Sequence, residues 1–254
     1  MSGGNQHPFQ EDSERAQLRL WKEASFPAEI VSLYRSSVIR GHDVPHGDGA
    51  AVIVFPGFLM PDLYLLEMRR WLKRIGYNSF FSGIGVNADC PNLLIEHRLN
   101  ETVSRARRET GRKVHLIGHS LGGVIARAIA AQRPDDVASV ITLASPFRGV
   151  RVHQVLLTAS KAVRKRIFRK HNGAVPPDCY TGHCTCEFVQ ALRGGVPSSI
   201  PQTALYTRSD GLVDWRHCIT EDPRIDVEIQ ATHIGLAFNP EVYRIIAHRL
   251  AQSS

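Results

Sequence analysis

The stretch Val114-His115-Leu116-Ile117-Gly118-His119-Ser120-Leu121-Gly122-Gly123-Val124 decides how this chain reads. Val114 to Ile117 is a short apolar run of the kind that forms a buried strand, and Val124 to Gln132 has the aliphatic and small residues of a packed helix. Between them, Gly118-His119-Ser120-Leu121-Gly122 fits Gly-x-Ser-x-Gly. A serine in so sharp a strand-to-helix turn takes strained backbone angles, and small flanking glycines let the helix approach the strand closely. The hydroxyl is then projected upward beside the N–H groups of a helix N-terminus. The five-residue pattern alone is weak, and its setting between strand and helix makes it specific. A tight turn with a capping serine is the plain alternative.

A serine hydroxyl is a poor nucleophile until a base takes its proton, and a third group must orient that base. In such a fold the acid and then the histidine follow later in the chain, each at a strand end. Asp210 follows Ala204-Leu205-Tyr206-Thr207, and His233 follows Val227-Glu228-Ile229-Gln230. Asp214 is the rival acid, one helical turn further on. His119 is expected to point away from the mouth in a supporting role. The oxyanion of a tetrahedral intermediate needs N–H donors fixed in advance. The N–H of Leu121 is one; the other is expected from Phe58 in Pro56-Gly57-Phe58-Leu59, after the run Val52-Ile53-Val54-Phe55. This chemistry calls for no cofactor and no metal.

Working outward, apolar runs suited to strands occur at 50–55, 77–81, 113–118, 137–144, 203–207 and 225–231. Helical spacing separates them at 62–76, with Leu65, Met68, Leu72 and Ile75, at 89–111, with Ile95, Leu99, Val103 and Ala106, and at 239–251. The class is therefore α/β, a mostly parallel, doubly wound sheet with helices on both faces. The rhythm breaks for nearly sixty residues after Ala144, a stretch without a convincing strand. An insertion there lies beyond the carboxyl ends of the strands, where ligands bind, and reads as a cap or lid over about residues 147–200. Residues 1–49 form an N-terminal segment on or before a domain spanning 50–252. Leu18, Trp21, Ile30, Leu33 and Tyr34 suit helices or an edge strand there, and this part says least about function.

The chain has 254 residues, 43% hydrophobic and 22% charged, which excludes disordered, collagen-like and coiled-coil classes. No apolar stretch approaches the ~20 residues of a membrane span. The polar first residues lack a signal-peptide core, so a cytoplasmic location is expected. The net charge of +7 comes from one segment: 151–170 holds seven basic residues and no acid, and without it 24 basic residues face 24 acidic ones. In that segment Val152, Leu156, Ala159, Val163 and Ile167 line one helical face, while Lys161, Arg164, Lys165 and Arg169 occupy another. Such a helix is either packed below and solvated above, or it meets an anionic membrane or an acidic substrate. Nucleic acid is not expected, because no recognition fold accompanies the charge. Five cysteines, three of them (Cys179, Cys184, Cys186) near His171 and His183, leave ordinary thiols, one disulfide or a metal site open.

Five stretches together resemble the α/β-hydrolase superfamily. They are Phe55-Pro56-Gly57-Phe58, Gly118-His119-Ser120-Leu121-Gly122-Gly123, Ala144-Ser145-Pro146-Phe147-Arg148-Gly149, Ser209-Asp210-Gly211-Leu212-Val213-Asp214-Trp215 and His233-Ile234-Gly235-Leu236. Within it the chain is most similar to bacterial triacylglycerol-lipase-like and GPI-inositol-deacylase-like serine hydrolases, over roughly residues 50–252. The resemblance implies that Ser120, Asp210 and His233 are a catalytic triad acting on a carboxylic ester or lipid through an acyl-enzyme. Where many lipases carry His-Gly in the oxyanion loop, this chain has Pro56-Gly57. A non-catalytic lipid- or partner-binding protein and an acyltransferase using the same acyl-enzyme are the alternatives.

Overall fold

The structure is a computed structural model that describes residues 19–149, 151–173 and 184–253. Six strands form one all-parallel sheet: β1 (Ala51–Phe55), β2 (Asn78–Phe81), β3 (Val114–His119), β4 (Val137–Leu143), β5 (Gln202–Tyr206) and β6 (Asp226–Glu228). Their order across the sheet is β2-β1-β3-β4-β5-β6. The chain winds outward from β1 to β2, then returns to place β3 on the other side of β1. The carboxyl ends of β1 and β3 are therefore the topological switch point, where loops diverge and leave a crevice. Each of the six runs read from sequence becomes one of these strands. The last is the shortest: after Glu228 the chain keeps the Ile229 N–H to Tyr206 C=O bond of 2.8 Å and then turns toward the site.

The helices are α1 (Phe26–Arg35), α2 (Leu66–Arg74), α3 (Pro91–Leu94), α4 (Asn100–Thr110), α5 (Leu121–Gln132), α6 (Gln154–Lys170), α7 (Glu187–Gly194) and α8 (Pro240–Ala251). The region 89–111, expected as one helix, is α3 and α4 joined by a π turn at Ile95–Leu99. Pro91 sits in the first turn of α3, where its missing N–H has no partner to lose. Among the described residues, no helix is long and apolar enough to cross a membrane.

Two apolar clusters, one per face, cover the sheet. One joins Val52, Val54 and Ile117 to Trp71 and Leu72 of α2, Tyr243 and Ile246 of α8, and Leu33 of α1. The other joins Ile53, Phe55 and Leu116 to Val103 of α4, Ile125 and Ile129 of α5, and Phe188 of α7. Alternate residues of β1 and β3 enter opposite clusters, as the period-two geometry of a strand requires. Every residue of both strands is buried, so they read as continuous apolar runs and not as alternation.

Residues 19–48 do not form an edge strand. A 3-10 turn at Leu20–Ser25 leads into α1, and Leu33, Val38 and Ile39 complete the first cluster, where Trp71 Nε1 donates to Val38 C=O at 2.8 Å. In the cap region, α6 buries Val163 and Ile167 against Cys90, with Phe58, Leu93, Cys184 and Cys186 packed alongside. Cys179, His183 and the Pro176-Pro177 pair lie outside the described residues.

Helix α5 starts in the angle between β1 and β3, so its first turn has almost no room. A Cβ on Gly122 would stand 2.6 Å from the Pro56 carbonyl oxygen, and closer still to that of Phe55. Both are backbone atoms at the end of β1 and cannot rotate away. Gly122→Ala is expected to cost at least about 1–3 kcal/mol, which in a domain of this size lowers the thermal midpoint by about 2–4 °C per kcal/mol. Gly194→Ala, where nothing lies within 4 Å of the added methyl, is the matched control and should leave the melting curve in place. Equal midpoints for the two variants would refute the close-approach argument.

Candidate active site

Ser120 sits between β3 and α5 with φ 53° and ψ −125°, a region that costs a residue with a side chain of order 1–3 kcal/mol. Neighbouring atoms hold it there. The Ser120 N–H donates to Leu143 C=O at 2.8 Å, and Gly123 N–H returns to Ser120 C=O at 3.0 Å. Ser145 closes the third side, since a Cβ on Gly123 would fall 2.8 Å from the Ser145 Cβ and from the Gly118 carbonyl oxygen. The sharp turn and glycine-dependent packing expected from sequence are thus present.

Asp210 and His233 follow β5 and β6 and come together. His233 Nδ1 lies 2.7 Å from Asp210 Oδ2, with both side chains almost wholly buried. The other oxygen, Asp210 Oδ1, accepts the N–H groups of Leu212 at 2.8 Å and Val213 at 2.7 Å. Those two bonds fix the carboxylate plane and leave Oδ2 aimed at the ring. With Nδ1–H donated to Asp210, Nε2 is the basic nitrogen. Burial opposes charge on His233, but the Asp210 carboxylate, by charge and hydrogen bond, and the Glu23 charge outweigh it and hold this imidazole above the ordinary histidine value.

Asp214, the rival acid, is engaged elsewhere. Its Oδ1 accepts the Arg216 N–H at 3.1 Å as the cap of a 3-10 turn, and it pairs with Arg151 at 3.5 Å and Arg216 at 3.2 Å. It ties the start of the cap to the acid loop, where Val152 and Val213 also form a bridge. Cys218 is buried beside this loop, and burial with the charges of Asp210 and Asp214 pushes its thiol up, away from thiolate chemistry.

His119 has the supporting place expected of it. Its Nε2–H donates to His233 C=O at 2.9 Å, and its ring lies 4.9 Å from the His233 ring and 5.5 Å from Tyr64. Desolvation and the neighbouring His233 press its pKa down to about 3, so it stays neutral and serves as a fixed donor. Gly57 of the first loop packs on the same group: a Cβ there would lie 3.1 Å from His119 Nδ1 and 3.3 Å from Ser120 Cβ. The Phe58 loop is therefore beside Ser120, and Phe58 packs with Val163 and Ile167 of α6.

Three residues that shape the site carry no motif. Asn87 is fully buried, donates Nδ2–H to Pro56 C=O at 2.8 Å and accepts Leu59 N–H on its own carbonyl at 2.8 Å, which fixes the Phe58 loop from both ends. Glu23, in the 3-10 turn before α1, accepts Gly211 N–H at 3.0 Å and His233 N–H at 3.1 Å on Oε1, and Ile234 N–H at 3.1 Å on Oε2. Glu29 of α1 accepts Thr232 N–H at 2.8 Å. The N-terminal segment, which says least in the sequence, thus supplies two carboxylates to the loops bearing Asp210 and His233.

Comparison with known proteins bears on the fold. A family profile described as palmitoyl protein thioesterase matches residues 85–191, less than half of the chain. A triacylglycerol lipase of Pseudarthrobacter phenanthrenivorans is 57% identical over 37 residues, which is 15% of this chain and 12% of that protein. The match thus spans about an eighth of that relative's length. Among solved structures, a soluble variant of monoglyceride lipase from Saccharomyces cerevisiae superposes with a TM-score of 0.56 at 14% identity, covering 83% of this chain and 89% of that one. Lipase B of Aspergillus fumigatus gives 0.53 at 17%, covering 81% of this chain and 53% of that one. The chain has the α/β-hydrolase fold.

The two neutral histidines of β3 make stability depend on pH. Desolvation holds His115 down at about 4 and His119 at about 3, whereas both return to about 6.5 in the unfolded chain. Below pH 6.5 the unfolded state takes up these protons first, so folding is weakened on acidification, by up to about 3 kcal/mol per pH unit for the pair. His233 has the opposite sign: its contribution is present below 6.5 and is lost as the pH rises through its folded value. Urea unfolding at pH 6.5, 5.5 and 4.5 should show the loss, and His115→Gln should make it shallower by about one proton's worth, ~1.4 kcal/mol per pH unit. An unchanged slope in that variant would contradict the assignment.

Proposed function

We propose that this chain is a serine hydrolase of carboxylic esters, with Ser120 as nucleophile, His233 as general base and acid, and Asp210 as the group that orients the imidazole. The observation that carries it is the His233 Nδ1 to Asp210 Oδ2 contact of 2.7 Å, joined through His119 to the strained turn at Ser120. In this reading His233 Nε2 takes the proton as Ser120 Oγ attacks the substrate carbonyl. The imidazolium that forms is stabilised by Asp210, and the oxyanion is met by the N–H groups of Leu121 and Phe58. Protonated His233 then gives its proton to the leaving oxygen, and water attacks the acyl-enzyme by the reverse sequence.

Lipases among the structural neighbours support an ester substrate, and the thioesterase profile supports including thioesters. Helix α6 supports a lipid one. It covers Phe58 with its apolar face and exposes Val155 and Phe168 among Lys161, Lys165, Arg166 and Arg169. Our reading is that this face rests on an anionic membrane from which an acyl chain reaches the site.

Intact mass after exposure to a fluorophosphonate, beside hydrolysis of p-nitrophenyl esters and acyl thioesters of graded length, tests the proposal. One adduct is expected on the native chain and none on Ser120→Ala, whose rates should fall by at least about 10³-fold with the fold intact. Labelling that persists in the variant, or wild-type rates in it, would remove the assignment. Sedimentation with vesicles tests the membrane face: binding is expected with phosphatidylserine and not with phosphatidylcholine alone, and Lys165→Glu with Arg169→Glu should abolish it.

A further inference from the structure

One carboxylate of the N-terminal segment meets the site through three backbone donors. Gly211 follows the orienting acid, His233 is the base, and Ile234 follows it; all three N–H groups converge on Glu23, which is itself buried. Loops after two different strands are thereby pinned to one rigid group. The fit is close enough that glycine is required opposite it. A Cβ on Gly211 would stand 2.7 Å from Arg19 C=O and 3.1 Å from Glu23 Oε1. Gly235 likewise leaves room for the Glu29 carboxylate, with Thr232 Oγ1 at 2.6 Å from any added Cβ.

We infer that Glu23 is a positioning residue for the Asp210–His233 pair, acting on the base both by geometry and as a second buried negative charge. Deleting it would leave three backbone donors without their acceptor and would free the His233 loop to move relative to Asp210. Misplacement of a reacting group by about 1 Å costs as much as 10²-fold in rate. The charge acts on the imidazole as well, alongside the other groups that face it: Asp210, neutral His119, Tyr64 through the Ile234 carbonyl, and Glu29 through Thr232. Burial works against the protonated ring, and Glu23 is one of the groups that restore it.

The inference rests on the hydrolase reading only in naming His233 as the base, and its test reads that imidazole directly. Full-length protein carrying ¹³C-labelled histidine is titrated by NMR as wild type, as the near-isosteric Glu23→Gln and as Glu23→Ala, with p-nitrophenyl butyrate hydrolysis measured beside it. In Glu23→Gln the His233 titration is expected to move to lower pH, and the acid limb of kcat/KM to move with it. In Glu23→Ala the low-field Nδ1–H resonance of the Asp210 hydrogen bond is expected to vanish, with kcat down about 10- to 100-fold and KM within about twofold. A His233 titration and low-field proton unchanged in both variants would overturn the inference, even if their melting points fall, since Glu23 would then be a strut alone. Absence of ester hydrolysis by the wild type counts against the hydrolase reading and leaves the NMR result to decide the role of Glu23.

Discussion

The site depends on how near the first turn of α5 comes to the ends of β1 and β3. Three glycines permit that approach, and at each a methyl group would meet backbone or Ser145 atoms well inside contact distance. Because the helix starts so close, Ser120 is held at positive φ by its N–H bond to Leu143 C=O and by the Gly123 N–H bond to its own carbonyl. The strain is sustained by the two apolar clusters, which fix the strands on either side. The same approach puts the helix N-terminus, with its outward N–H groups and partial positive charge, beside the serine.

Around that turn the electrostatics are arranged in layers of decreasing charge. Glu23 and Asp210 are buried carboxylates whose lone pairs are spent largely on backbone N–H groups. His233 meets both, through its main-chain N–H and its ring Nδ1. His119, one layer on, is kept neutral so that no second cation competes with an imidazolium beside it. The ion pairs of Asp214 and Lys170 lie outside this set and tie the cap to the domain: Arg151 to Asp214 at its base, and Lys170 to Asp89 at 2.5 Å at its far end.

Features built from local sequence were legible, and features built by chain return were not. The strand before Ser120, the helix after it and the glycines between them are neighbours in sequence, so periodicity and residue size reveal them together. Asp210 and His233 were legible because a parallel sheet delivers loop residues to one edge, and each follows an apolar run. Asp214 was separated from Asp210 by that same criterion, and the structure gives it a capping role. Glu23 left no signal: its partners are backbone N–H groups 188 to 211 residues away, and a backbone donor has no side-chain identity to read. Asn87 was hidden for the same reason, since it bonds only to the backbone of the Phe58 loop. The π turn at Ile95–Leu99 escaped notice because its apolar spacing stays compatible with an α-helix.

Those same separations make this a protein whose working parts are assembled last. The bonds from Glu23 span most of the chain, so the entropy of closing them must be met before they contribute anything, and contacts of such span are slow to form. During synthesis from the N-terminus, β1, β3 and the Ser120 turn can be complete while the strand that delivers His233 is still being made. The nascent domain then holds Ser120 in its turn without His233 or Glu23 docked beside it. The Asp210–His233 contact and the docking of the first turn onto the last loops therefore come with the final closure of the fold.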